Sequence, residues 1–200
     1  MKKIKLTKPE LKKQKDSLKR FQRYLPTLQI KKQLLQLEMG RILRDIKEIN
    51  GGISGIKDSM KSWAGYLAQE IDLSQLLVID GIEIKKVNVT GVDIPMFVAA
   101  QIHIEEYDLF EYPLWVDKAL ETLQAIVILT ARRIILEEQF RLLSVELQIT
   151  SQRVNLFEKV KIPEAENAIK KISIHMAEQM ATAVGWARIA RKKIQAQEGK

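Results

Sequence analysis

Apolar residues recur along the first third of the chain with a seven-residue repeat. Leu11, Leu18, Leu25, Met39, Ile46, Ile53, Met60 and Leu67 form one series, and Phe21, Leu28, Leu35, Ile42, Ile49, Ile56 and Trp63 form a second, offset by three. Alternating steps of three and four put every member on one stripe of a helix, the seam of a coiled coil. Lys32 interrupts the first series, and Gln14 and Glu70 interrupt the second. The flanking positions are mostly Lys, Arg, Gln, Glu and Asp, so the rest of the circumference prefers water. At ~1.5 Å per residue, an unbroken helix from Leu11 to Leu67 is on the order of 90 Å long. One stripe on so long a helix needs a partner helix.

Local signals refine the pattern. Thr7 is placed to cap the helix, with Pro9 in the first turn and Glu10 completing a capping box after a short N-terminal arm. Pro26 falls inside the helix without disturbing the repeat, which predicts a kink and not a break. Gly51, Gly52 and Gly55 also lie in register and predict a locally flexible helix.

Over residues 72–113 the period changes to two. Ile82 and Ile84 alternate with Glu83 and Lys85, and Val98, Ala100, Ile102 and Ile104 alternate with polar or small neighbours. With Thr90 and Gly91 between them, these segments predict a β-hairpin, with Pro95 at a strand boundary. From Leu114 the helical period returns through Ile126, Leu129, Leu136, Phe140, Leu143, Leu147, Val154 and Phe157. Near Pro163 the phase slips. Ile162, Ala165, Ile169, Ile172 and Met176 start a new stripe that continues into Ala183, Ala187 and Ala190. Such a slip changes the local winding of a coiled coil.

The expected fold is therefore all-α dominated: a long antiparallel two-helix coiled coil with a small β-hairpin/short-helix insertion at the end opposite the termini. Residues 1–72 supply the N-terminal helix, 73–113 the insertion and 114–200 the C-terminal helix.

Charge adds a surface to this rod. The net charge is +8, and Lys and Arg crowd both ends of the sequence. If the helices run antiparallel, those ends coincide in one basic tip. That tip could meet acidic protein, lipid or nucleic acid, with a protein partner favoured, and Lys8, Lys12, Lys13, Lys19, Arg188, Arg191 and Lys192 are the candidate contacts. Nucleic acid is the weaker expectation, because no recognised binding module or aromatic interleaving accompanies the charges. There is no cysteine, which is compatible with a cytoplasmic protein, and no apolar run of membrane-spanning length, so direct membrane insertion is not expected.

Catalytic chemistry finds no support in the sequence. There is no phosphate-binding glycine loop, and two histidines without cysteine make no zinc set. His103 falls on the polar side of its strand, and His175 lies beside the late seam. No catalytic residue, cofactor or metal site is assigned.

Three segments carry a resemblance. Leu6-Thr7-Lys8-Pro9-Glu10-Leu11 resembles the helix start of the central-stalk D subunit of the V/A-type rotary ATPases. Asn88-Val89-Thr90-Gly91-Val92-Asp93-Ile94-Pro95 resembles that family's middle segment. Arg153-Val154-Asn155-Leu156-Phe157-Glu158, running on to Ile162-Pro163, resembles its C-terminal signature and is the most specific of the three. Asn88, Gly91, Pro95, Arg153, Asn155, Glu158 and Pro163 are the motif positions. The chain departs from the family at Leu25-Pro26-Thr27-Leu28-Gln29-Ile30-Lys31-Lys32 and after Met176.

The resemblance implies a non-catalytic central rotor shaft that carries torque between a catalytic ring and a membrane ion-translocating rotor. Its implied partners are the catalytic and regulatory subunits of the ring, the F subunit of the stalk and a membrane-side adaptor subunit. It would be cytoplasmic and peripheral to the membrane through the complex. Two other readings remain: a generic coiled-coil tether or scaffold, and a basic nucleic-acid-binding rod.

Overall fold

The structure is a computed structural model that describes residues 5–61, 65, 73, 76–108 and 112–198. It contains helix α1 (Lys8–Met60), strands β1 (Leu77–Val89) and β2 (Val92–Ile104), helix α2 (Trp115–Leu156), a π turn (Phe157–Lys161) and helix α3 (Ile162–Glu198). The fold is mostly helical, as the periodicity predicts. The stripe positions Trp63, Leu67 and Glu70 lie outside the described residues.

Helix α1 begins where the capping signal places it. The Thr7 carbonyl accepts the Leu11 N–H at 3.0 Å, and Pro9 occupies the first turn. The Glu10 carboxylate accepts a 2.8 Å hydrogen bond from Gln14 one turn on. The helix runs without a break through Pro26 and through all three glycines. Leu35, Ile42 and Ile53, all members of the heptad stripe, are buried.

The chain divides into two units, residues 1–30 with 150–200 and residues 31–149. In the second, α1 and α2 run antiparallel. Lys31 meets Glu146, and Gly52 lies beside Leu129. Leu35, Ile42 and Leu143 form the core between the helices, joined by Ile94 from the hairpin. In the first unit α1 pairs antiparallel with the end of α2 and with α3. The rings of Phe21 and Phe157 meet with centroids 5.2 Å apart, and Val154, Ala165, Ala168 and Ile172 are buried. Within the second unit the residue numbers of the paired positions add to nearly the same value, as in a helical hairpin.

The phase slip near Pro163 has a structural form. The Ile162 N–H reaches back five residues to the Phe157 carbonyl. In an ordinary α-helix the Pro163 ring would press on the carbonyl four residues earlier. The wider π turn in front of it inserts one residue into the winding. Inward-facing positions then read Thr150, Val154, Phe157, Lys161, Ala165, Ala168, Ile172. Two successive steps of four, 157 to 161 to 165, mark the insertion.

Strands β1 and β2 pair antiparallel from Leu77/Ile104 to Val89/Val92. Register shifts lie between Ile79 and Gly81 and between Glu83 and Ile84; they add twist to the ribbon. The base of the hairpin rests on Val116 and Leu120 at the start of α2, through Leu76, Leu77 and Ile104. Its tip folds back along the helix pair to Leu35 and Leu143, through Val89, Val92 and Ile94. Pro95 is not at a boundary. It sits within β2 opposite Lys86, a position tolerated because each strand of a two-stranded sheet keeps one free edge.

Candidate partner surface

The middle motif is explained by the hairpin tip. Thr90 and Gly91 form a two-residue turn in which both have positive φ, 51° and 82°, the combination that matches strand twist in a hairpin. The Asn88 side chain secures it: its Oδ1 accepts the Gly91 N–H at 3.1 Å, and its Nδ2 donates to Asp93 Oδ1 at 2.6 Å. A side chain at Gly91 would approach the Lys31 Nζ at 3.7 Å. That ammonium donates to Glu146 Oε1 at 2.6 Å, tying α1 to α2 directly beneath the tip. The Pro95 carbonyl accepts a hydrogen bond from the buried Gln139 amide, and the Arg132 guanidinium lies 5.1 Å from the centre of the Phe97 ring. Asn88, Gly91 and Pro95 therefore shape and anchor the hairpin.

Arg153, Asn155 and Glu158 are exposed on the outer side of the helix, around the π turn that precedes Pro163. Their side chains are open to contact by another molecule, whereas Phe157 between them turns inward to Phe21.

The basic candidates fall into two clusters instead of one tip. Lys12, Lys13 and Lys19 line one open depression on α1 with Arg20 and Arg23, and Asp16 is the acid among them. Lys8 is exposed in the first turn of α1. Arg188, Arg191 and Lys192 are exposed on α3. The two helices do not end together. Leu6 and Gln14 border the same groove as Ala168 and Lys171, so Arg188 lies about 25 Å further along α3 at ~1.5 Å per residue. Between Ser173 and Gln195 no side chain is buried, and Met180, Val184, Trp186, Ile189 and Ile194 are all more than half exposed.

Sequence reasoning misses the Lys31–Glu146 pair, the Gln139 anchor and the Phe21–Phe157 contact. The first and third join residues far apart in sequence, which no local pattern marks. Nothing in the sequence marks Gln139, whose partner is a backbone carbonyl.

None of the described helices is long and apolar enough to cross a membrane. Among the described residues, no three His, Cys, Asp or Glu side chains converge in a way that would hold a metal ion.

Residues 10–194 match the family described as the D subunit of ATP synthase. The V-type ATP synthase D subunit of Borreliella burgdorferi is 41% identical over 194 residues, covering 97% of this chain and 96% of that protein. The protein of the same name from Chlamydia abortus is 34% identical over 195 residues, with 96% and 94% covered. The Chlamydia trachomatis serovar L2 protein of that name is 33% identical, again over 195 residues, with 96% of each chain covered.

Proposed function

The chain belongs to the ATP synthase D-subunit family, and from that premise we propose that it is the central shaft of a V-type rotary ATP synthase. The observation that supports this reading best is the relation between α1 and the α2–α3 helix. In each unit they run antiparallel, and α3 continues past the start of α1 as a basic, uncovered helix. A paired helix resists twisting through its continuous seam, whereas a single helix frays and bends. The uncovered end of α3 is the part suited to enter a surrounding ring.

In this reading the shaft carries torque between the ring of catalytic and regulatory subunits and the membrane rotor, and it does no chemistry itself. Its unevenly charged surface biases each catalytic site in turn through differential contact energy. Lys8, Lys12, Lys13 and Lys19 meet acidic ring surfaces at one level, and Arg188, Arg191 and Lys192 meet them at another. The F subunit and the membrane-side adaptor take the hairpin-bearing part. The protein is cytoplasmic and held at the membrane through the complex.

The test is purification of the tagged full chain from its native membranes. The expected result is recovery of ATPase catalytic subunits with one copy of this chain per ring. Charge reversal at Lys12, Lys13, Arg188 and Arg191 should then uncouple ATP hydrolysis from ion transport. Recovery of the chain alone would favour a tether, and recovery of nucleic acid released by salt would favour the basic-rod reading.

A further inference from the structure

We propose that the π turn at Phe157–Lys161 is a movable phase joint, stopped on one side by Pro163 and held in place by Phe21. The joint exchanges Phe157 for Glu158 on the face that meets α1. The inference rests on the helix geometry alone and does not depend on the identity of any partner.

A π turn is one surplus residue in the winding, and it moves along a helix by trading five-residue hydrogen bonds for four-residue ones. Here the Ile162 N–H donates to the Phe157 carbonyl. A step toward the C-terminus requires the next residue to donate in the same way, and that residue is Pro163, which has no N–H. A step toward the N-terminus requires only bonds that ordinary residues can make.

The consequence of such a step follows from the spacing. The seam now reads Thr150, Val154, Phe157, Lys161, Ala165. Moving the surplus residue back by one turn changes it to Thr150, Val154, Glu158, Lys161, Ala165. Every flanking position keeps its place, and only the residue between Val154 and Lys161 is exchanged. In the structure Phe157 occupies the inward position with its ring centroid 5.2 Å from that of Phe21, and Glu158 is exposed. That ring contact is what the step must break, and it holds the joint where it is. After the step Phe157 stands on the outer surface beside Arg153 and Asn155. Two arrangements that differ at one turn give the helix a discrete response to torsion, without loss of register at either end.

The experiment uses the full chain with fluorinated phenylalanine, read by fluorine NMR, with the Phe157 resonance assigned through Phe157→Leu. Glu158→Leu makes the alternative seam apolar at a position that is exposed in the structure, so it leaves folding intact. It should raise the population of solvent-exposed Phe157 by more than about tenfold. Phe21→Ala should shift the population in the same direction, and the helical circular dichroism should persist in both variants. A single, unshifted Phe157 resonance in the wild type and in both variants, with helicity unchanged, would overturn the proposal. Should Phe21→Ala lose helicity, Glu158→Leu alone decides between the two outcomes.

Discussion

The two units of this chain are made from the same pair of helical strands, yet they differ in what fills the space between them. Around Leu35, Ile42 and Leu143 the seam is built from large aliphatic side chains and is covered by a third layer, the hairpin tip with Ile94. Around Ala165, Ala168 and Ile172 it is built largely from small residues, and the facing α1 positions include Gln14 and Ser17. Charge separates the units as sharply. Residues 1–30 with 150–200 hold 20 Lys and Arg against 7 Asp and Glu, a net of +13, while residues 31–149 hold 13 against 18, a net of −5. The larger apolar core lies where the charge is slightly acidic, and the strongly basic unit has a thinner core and more self-repulsion. A heptad pattern alone does not reveal this division, because Leu and Ala both count as apolar.

Truncations of equal kind on the two seams probe the difference most strongly. Leu143→Ala removes a fully buried side chain beneath the hairpin, and denaturant unfolding should show a loss of about 3–5 kcal/mol. Ile172→Ala removes an equally buried side chain from the stripe that holds Ala165 and Ala168, and with small residues on that stripe the helices can close over the gap, so it should cost about 2 kcal/mol. Equal losses at the two sites would show that the seams have the same strength.

The hairpin's contribution is read at its turn. Gly91 has φ +82°, and an added Cβ would meet only the flexible end of Lys31 at 3.7 Å, so the cost of Gly91→Ala is that of the backbone conformation. Thermal unfolding should report about 1–2 kcal/mol. A neutral result would mean that the tip is not held in the turn described and does not brace the helix pair.

The smallest expected effect is a titration. The Tyr107 hydroxyl donates a hydrogen bond to Asp117, and this bond, with burial and the carboxylate charge, raises the phenol pKa above its usual 10. The protonated form is favoured by folding, so its contribution is complete below pH 10 and fades as pH rises through the higher folded value. In ultraviolet absorbance, Tyr107→Phe should remove a tyrosinate step that lies above the ordinary tyrosine range. Asp117→Asn should bring that step down.

Most of the architecture is legible because it depends on period. The Leu11 stripe, the alternation around Ile82 and Val98, and the phase slip at Pro163 each report a local geometry that a short window of sequence contains. A strand boundary is the wrong place for Pro95 because proline's missing donor matters only if its strand edge is paired, and a two-stranded sheet leaves one edge free. One basic tip does not form because the relative reach of two helices depends on where they pair, marked by Phe21 and Phe157 in one unit and by Lys31 and Glu146 in the other. Those four residues are 115 or more positions apart across the pair, beyond any local pattern. Gln139 illustrates the remaining limit: its role depends on a carbonyl that every residue possesses.

The constant register has a further consequence for how such a chain can change in length. Because paired residue numbers add to nearly the same value from Lys31 to Gly52, a residue lost from α1 would move every pair on one side of the loss by one step. A compensating loss at the facing position of α2 or α3 would restore them. Deletions in one arm are therefore tolerated mainly as matched pairs, like teeth removed from both sides of a zip. The π turn is a place where one arm carries a tooth that the other lacks, and it lets the seam close on both sides of the mismatch.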